Sequence, residues 1–244
     1  MRRARKPRVY AAGALILGAL AFAAFGVNRI ATDSTKPVPN GSALSKFRVA
    51  DKHPAGYEGV YTYATVGKES VDALTGATHR YPATTTITVI RKGCGVQLQW
   101  EALDGRSTTW TLCTVHGAVT LRAIRETHTF FKKTDRTNYA CTQSGTHFTC
   151  TSPKGEESGD ITPLGESMVS VHSVLSASLV IRTVATVTGK SHGTETTEWW
   201  LAPRTLLPLR IVVASRTSRK EPLVGTVHYR EDAKLALVSR TPSR

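Results

Sequence analysis

Four cysteines are the residues whose type and spacing imply chemistry most directly. An even number of cysteines in an exported chain predicts disulfides, and the sequence alone allows three pairings. The registers of two predicted hairpins select Cys141 with Cys150 and Cys94 with Cys113. Because both closed loops are short, we expect these bonds to fix hairpin register more than the stability of the whole domain.

The first of these hairpins turns at Gly145 and Thr146. A two-residue loop with glycine in first place suits a type II′ turn, which joins antiparallel strands. That turn places Cys141 directly opposite Cys150, within bonding distance.

The second hairpin turns at residues 103–105, where a glycine suits the left-handed position of a three-residue loop. Its register puts Cys113 opposite Gly95, one residue away from Cys94. A β-bulge at residues 93–95 would bring the two cysteines together, and the glycines on both sides of Cys94 permit one.

The other chemically active side chains form no recognisable constellation. None of the eight histidines lies at H-x-H or H-x-x-x-H spacing, so no metal site is expected. No nucleophile elbow, phosphate-binding loop or dinucleotide-binding pattern occurs, so neither a cofactor nor enzymatic activity is expected, although a triad assembled from distant positions stays open. Glu156, Glu157 and Asp160 lie in the stretch SPKGEESGD and are interpreted as solvated charge in a loop.

Two adjacent tryptophans form the most individual feature of the sequence. Trp199 and Trp200 fall on opposite faces of a predicted strand. One of them must face the core, and the other faces outward or toward a ligand. The alternative is that both are packed, one of them beneath a neighbouring loop.

The segment that begins at Trp200, WLAPRTLLPLR, resembles the hairpin W-[LV]-[DN]-P-x-T-G-L-P-x-[RK] of the LolA/LolB/RseB-like superfamily of envelope proteins. The resemblance implies an open, curved antiparallel half-barrel that holds acyl chains or lipoproteins against its concave face. The matching residues are Trp200, Leu201, Pro203, Thr205, Leu207, Pro208 and Arg210.

Two positions of this hairpin depart from the family pattern. Ala202 replaces the usual Asp or Asn, and Leu206 replaces a glycine that takes positive φ. A branched side chain at positive φ is strained. We therefore expect the turn to be rebuilt around Pro203 with ordinary dihedral angles at Leu206.

The elements that must position these residues are predicted to be strands. The sequence contains 34 threonines, a β-branched type that favours a pleated surface. Runs of 5–11 residues with period-two alternation follow one another closely after residue 55, which is typical of an antiparallel meander. Outside the N-terminal segment helical spacing is weak, and only residues 70–74 and part of 163–176 are candidate helices. The predicted fold is all-β, a curved antiparallel sheet or half-barrel, preceded by an N-terminal transmembrane helix.

The N-terminus predicts delivery to a membrane. The segment Val9–Val27 contains no charged residue and is long enough to cross the hydrocarbon core. Five basic residues precede it and orient the N-terminus toward the cytoplasm. We expect residues 1–28 to form a basic stub and signal anchor, 29–54 a flexible linker, and 55–244 an extracytoplasmic β domain. Secretion after cleavage of a signal peptide is the alternative.

The charge is strongly basic, with a formal net charge of +14, of which the five basic residues near the start contribute +5. The remaining +9 could attract an anionic surface, or could simply keep the domain soluble. No basic stripe with interleaved aromatic residues occurs, so no nucleic acid partner is expected.

The expected function is non-enzymatic binding of an apolar ligand, such as a lipid or a lipoprotein acyl chain, in the concave face. A carrier of this kind should keep a cavity of about 300–1,000 Å³ with apolar walls. The residues expected near it are Trp100, Trp110, Leu98, Trp199 and Trp200. The alternative is an interaction or sensor module that presents its sheet face to another envelope protein; a largest cavity away from the tryptophans would favour it.

Overall fold

Alternating threonine and apolar residues form strands along the described chain. The computed structural model describes residues 57–73, 76–115, 117–222 and 224–243, all within one unit, Thr35–Arg244. Thirteen strands follow one another: β1 (Gly59–Val71), β2 (Ala77–Arg80), β3 (Thr84–Lys92), β4 (Gly95–Leu103), β5 (Arg106–Val115), β6 (Ala118–Phe130), β7 (Lys133–Ser144), β8 (His147–Ser152), β9 (Gly155–Val171), β10 (Val174–Gly189), β11 (His192–Leu201), β12 (Pro208–Glu221) and β13 (Gly225–Leu237).

The sheet is an antiparallel meander that closes on itself. From β3 to β13 each strand pairs with the next in sequence, while β1 pairs with β3, with β2 and with β13. The predicted curved antiparallel sheet is confirmed. It differs from an open half-barrel, because the pairing of β1 with β13 joins the first strand to the last. That pairing satisfies backbone groups which an open sheet would leave free at both edges.

Both predicted disulfides are confirmed. Cys141 and Cys150 lie directly opposite each other on β7 and β8, with Cα atoms 3.9 Å apart. Cys113 lies opposite Gly95 as predicted, and its Cα lies 5.0 Å from that of Cys94. The expected β-bulge is wrong: Lys92 pairs with Gly95, so Cys94 lies in the two-residue turn between β3 and β4.

Several local expectations are corrected by strand pairing. The segment 163–176 is not helical: it lies in β9 and β10, which form a hairpin. Ser70 and Val71 belong to β1. The stretch interpreted as a charged loop, 156–160, is part of β9, between β8 and β10. Residues 163–171 pair with β10 and 174–176 with β9, 156–160 pairs with β8 and β10, and Ser70 and Val71 pair with β2 and β13. Local spacing does not reveal these partners.

The expectation of ordinary dihedral angles at Leu206 is wrong. Leu206 has φ +56° in the turn between β11 and β12. Its N–H donates to the carbonyl of Ala202 at 2.9 Å, and the hydroxyl of Thr205 accepts from the N–H of Leu207 at 3.2 Å. The Leu206 side chain is 0 % exposed. Burial of this side chain offsets the cost of the left-handed conformation.

The core fills the inside of the ring with aromatic and branched apolar side chains. None of the residues described by the structure forms a helix long and apolar enough to cross a membrane. The predicted anchor and linker, residues 1–54, lie outside the described ranges.

Candidate functional site

Three of the five side chains expected to bind a ligand lie together inside the ring. Trp100, Trp110 and Trp199 come from β4, β5 and β11 and line a space of about 40 Å³. The Trp100 and Trp110 rings stack with centroids 6.4 Å apart, and Trp199 meets Trp110 edge-on at 4.8 Å. We call this part of the interior the tryptophan end. Its free space holds a few water molecules at most.

The other two expected ligand-binding residues do not line that space. Leu98 is fully buried in the core opposite Trp110. Trp200 is also buried, and the guanidinium carbon of Arg210 lies 4.5 Å from the centroid of its ring. Trp199 and Trp200 are therefore both packed, and ligand contact by any of the five residues stays a prediction.

A buried arginine lies between two buried glutamates beside the tryptophan end. Arg106 Nη2 lies 2.7 Å from Glu231 Oε2, and Arg106 Nε lies 3.4 Å from Glu69 Oε2. Glu69 on β1 is paired directly with Glu231 on β13, so their like charges would repel without the arginine. Closure of the ring and the position of Arg106 at the start of β5 bring the three groups together.

Hydrogen bonds complete this ion cluster. Tyr81 Oη donates to Glu231 Oε1 at 2.5 Å, and Tyr229 Oη donates to Glu231 Oε2 at 2.8 Å. Burial alone would raise the pKa of Glu231, but the charge of Arg106 and the hydrogen bond from Tyr81 lower it. Glu231 is therefore a carboxylate at neutral pH, which a buried arginine requires.

Two histidines bond to the same cluster from the other side. His79 Nδ1 lies 3.0 Å from Glu69 Oε1, and His128 Nδ1 lies 3.4 Å from Glu69 Oε2. Burial alone would raise the pKa of Glu69, but bonds to these histidines and the charge of Arg106 lower it. The His79 ring stacks on Phe130 with centroids 4.7 Å apart.

Three further glutamates face the interior next to this cluster. Glu126 on β6, Glu157 on β9 and Glu195 on β11 line the space at the tryptophan end. We call these three residues the carboxyl layer. Burial and the charge of Glu126 raise the pKa of Glu157 to about 8. Burial and the charges of Glu126 and Glu157 also raise the pKa of Glu195, although a hydrogen bond from Ser215 Oγ at 2.9 Å opposes them.

Glu157 is the most isolated member of the carboxyl layer. It is 7 % exposed, and within the part of the chain that the structure describes its carboxyl group has no hydrogen bond or ion pair. Arg106, the buried cation nearby in the interior, is already bonded to Glu69 and Glu231. A buried carboxyl without a partner favours its neutral form, which explains the raised pKa.

A larger cavity, of about 380 Å³, lies at the end of the interior beyond the carboxyl layer. We call it the end cavity. Glu126 and Glu195 line both it and the smaller space, so they separate the two. None of the four tryptophans lines it. Nine of its twenty lining residues are apolar or aromatic, and the others are polar or charged. The apolar and aromatic ones are Val71, Ala73, Phe130, Phe131, Tyr139, Val187, Val224, Val227 and Tyr229.

Charged side chains at the rim of the end cavity are largely paired with one another. Arg219 lies 3.0 Å from Asp135 Oδ2 and 2.6 Å from Glu221 Oε1. Lys154 also pairs with Asp135. The rim therefore offers little net charge, whereas the carboxyl layer concentrates acidic groups beneath the apolar walls.

This arrangement suits a ligand that has a polar end and an apolar body. An ionised carboxyl accepts hydrogen bonds or pairs with a cation, while a protonated one also donates. Among the described residues no group of three or more His, Cys, Asp or Glu side chains could hold a metal ion.

The inward position of these glutamates was not predicted from the sequence. Glu157 was interpreted as solvated, yet it lies on the same face of β9 as buried Ile161. Glu195 likewise lies on the same face of β11 as Trp199, four residues away. Period-two spacing from a buried aromatic or branched residue could have predicted that Glu195 faces inward. The convergence of β6, β9 and β11 could not have been predicted in this way.

No family model matches the chain, and neither a curated protein nor a solved structure does, so the resemblance to the LolA/LolB/RseB-like superfamily stays a hypothesis.

Proposed function

We propose that this protein is a non-enzymatic binding protein that holds a small, mainly apolar ligand in the end cavity. The observation that carries the proposal is the cavity itself: a partly open space of about 380 Å³ whose lining includes nine apolar or aromatic residues. Ligand sites typically measure about 300–1,000 Å³ and combine such walls with a few polar groups. Well-packed interiors, by contrast, leave few voids larger than a water molecule.

An acyl chain or a similar lipid-derived group fits the apolar walls. The volume lies near the lower limit of ligand sites, which favours a single chain or a compact aromatic molecule over a whole lipid. The proposal retains the apolar ligand expected from the sequence but moves its site away from the tryptophans. A cavity in that place is the outcome expected from the sequence for an interaction module, which is therefore kept as the second candidate function.

Blocking the cavity tests the proposal. Val187 on β10 lines the end cavity, and Val184 on the same strand is exposed on the outer face. We expect the full-length chain in lipid nanodiscs to bind 4-phenylbutanol saturably by calorimetry, relative to empty nanodiscs. Val187→Trp should abolish this binding, and Val184→Trp should leave it unchanged.

The same variants identify a natural ligand. Mass spectrometry of organic extracts should show a compound that purifies with the wild type and with Val184→Trp but not with Val187→Trp. Thr217→Phe on β12 is a second blocking variant if Val187→Trp fails to fold. Equal binding by all variants, or no saturable binding by the wild type, would contradict the proposal.

We also propose that the domain lies outside the cytoplasm, attached to the membrane through the N-terminal segment. Two disulfides, and the absence of a free cysteine among the described residues, support an oxidising compartment. Labelling of the intact cell with a membrane-impermeant amine reagent should modify the lysines of the domain. Labelling that requires cell lysis would contradict this location.

A second candidate function is an interaction module, favoured by the hairpin of β9 and β10. Three apolar side chains near its tip, Met168, Val174 and Leu175, are at least half exposed. Exposed apolar residues grouped in this way mark interaction surfaces. A photo-cross-linking residue at position 175 should then give one discrete adduct with an envelope protein in cells, while one at exposed Thr186 should not. An identical pattern at both positions would contradict it.

A further inference from the structure

We infer that the ligand of the end cavity carries a cationic amine, which pairs with the carboxyl layer while its apolar body lies against Phe130 and Val187. This inference rests on the proposed function, because it names the polar end of the molecule that the cavity holds.

The first argument is position. Glu126 and Glu195 line the end cavity at its inner limit, and Glu157 lies behind them in the space that they share with the tryptophan end. A ligand that enters past the apolar walls therefore meets carboxyl groups from β6 and β11. An amine on a chain of a few carbon atoms could reach them while its apolar end stays against the walls.

The second argument is the lack of a partner inside the protein. Glu157 is 7 % exposed, and among the described residues nothing bonds to its carboxyl group. Glu195 receives one hydrogen bond, from Ser215. A buried charge is stabilised by a paired cation and is otherwise very costly. An ammonium group supplies that cation together with hydrogen-bond donors.

The third argument is that Arg106 and His128, the basic side chains beside the carboxyl layer, are engaged elsewhere. Lys133 on β7 lines the end cavity and makes no ion pair with a described residue, but it does not line the space that the three glutamates share. Arg106 on β5 bonds to Glu69 and Glu231 of the neighbouring cluster. His128 Nε2 reaches Glu126 Oε2 only at 4.0 Å, and its Nδ1 faces Glu69. The phenol of Tyr139 on β7 faces the same carboxyl groups, whose charges help burial to raise its pKa. Acidic groups therefore dominate the surroundings of the carboxyl layer.

Binding of an amine should depend on pH. The pKa of Glu157 is raised to about 8, so its carboxyl group holds a proton at neutral pH and must lose it to pair with an ammonium. Burial and the neighbouring carboxyl charges shift the pKa of Glu195 in the same direction. Amine affinity should therefore increase as pH rises from 6 to 8.5. The affinity of an uncharged alcohol of the same size should change little over this range.

Three matched probes test the inference on the full-length chain in lipid nanodiscs: 4-phenylbutylamine, 4-phenylbutanol and 4-phenylbutyrate. They share one apolar body and differ in the polar end. At pH 8 we expect the amine to bind at least about tenfold more tightly than the alcohol, since hydrogen bonds to charged groups are stronger than neutral ones. We expect the carboxylate to bind most weakly.

Substitutions in the carboxyl layer separate charge from shape. Glu195→Gln and Glu157→Gln keep the side-chain size, and each should reduce the advantage of the amine over the alcohol by about threefold or more while alcohol binding persists. Glu198→Gln is the matched control: it lies on β11 with Glu195, but its side chain pairs with Arg182 on the outer face. It should change neither affinity.

The outcomes distinguish the two proposals. Equal affinities of amine and alcohol, or tighter binding of the carboxylate, would overturn the inference and leave the proposed function standing. Binding of none of the three probes would overturn both. An amine preference that survives Glu157→Gln and Glu195→Gln together would also overturn the inference, because the charge would then be recognised elsewhere.

Discussion

The two ends of the interior share strands β6 and β10 to β13, yet one is packed and the other retains space. At the tryptophan end, three indole rings from β4, β5 and β11 leave about 40 Å³. At the other end, the same ring of strands encloses about 380 Å³. The indole side chains pack against one another and fill the interior at the tryptophan end. At the end cavity, phenylalanine, valine and threonine side chains leave the middle of the interior unfilled.

The charged middle of the molecule separates these ends and shows two ways to bury a carboxyl group. Glu69 and Glu231 keep their charges because Arg106 lies between them. Glu157 has no such partner and holds a proton more tightly instead. The first arrangement stabilises the closed sheet, and the second leaves a polar group available to a ligand.

The largest expected effect is at the tryptophan end. Trp110→Ala should lower the free energy of unfolding by about 4 kcal/mol, because it removes a buried ring that touches two other tryptophans. Phe131→Ala at the end cavity should cost less than about 0.5 kcal/mol, since that side chain is half exposed. Urea denaturation followed by circular dichroism measures both. Equal losses would remove the distinction between a packed end and an open one.

The ion cluster should give the next largest effect. Arg106→Leu should lower the free energy of unfolding by about 3 kcal/mol, because it leaves Glu69 and Glu231 as buried carboxylates without their cation. The control is Arg182→Leu, whose pair with Glu198 lies at the surface and should cost less than about 1 kcal/mol. A loss at Arg106 no greater than at Arg182 would show that the cluster does not stabilise the closed sheet.

The carboxyl layer should make stability depend on pH. The pKa of Glu157 is raised to about 8 in the folded protein, so its contribution is complete below its usual pKa and is lost as pH rises through about 8. We expect the free energy of unfolding to fall by up to about 3 kcal/mol between pH 5 and 8.5. Glu157→Gln should flatten this dependence, whereas Glu156→Gln should not. A profile unchanged by Glu157→Gln would place the titrating group elsewhere.

The smallest expected effect concerns the turn between β11 and β12. Leu206→Gly relieves the positive φ but removes a fully buried side chain, and the second effect is larger. The free energy of unfolding should fall by about 1–2 kcal/mol. Leu206→Ala should cost more than Leu206→Gly, because alanine keeps the strain and also loses the burial. A more stable glycine variant would mean that strain dominates at this turn.

Local pattern predicted much of the fold. Period-two alternation and the turn residues predicted the registers of the β4–β5 and β7–β8 hairpins, including the pairing of Gly95 with Cys113 and of Cys141 with Cys150. Such pairs depend on residues close in sequence, so turn geometry and alternation suffice. At 156–176, where β9 and β10 pair as a long hairpin, the local pattern suggested a loop or a helix instead.

The candidate site could be predicted only in part. Alternation from Trp199 places Glu195 on the inner face, but sequence spacing cannot show that Glu126 and Glu157 approach it from other strands. Nor could it show that Leu206, a fully buried side chain, would accept a left-handed backbone. In both cases the deciding energy comes from burial against residues far away in the chain.

The order of residues along the chain is enough to predict the class of structure, the two disulfide pairs and the face on which most strand residues lie. The pairing of β1 with β13, the compensation of Glu69 and Glu231 by Arg106, and the free space away from the tryptophans become visible only in the folded chain. Alternation specifies which side chains point inward, whereas closure of the ring specifies which of those side chains meet. The free space and the charge pairs inside the ring depend on which side chains meet, and therefore on closure of the ring.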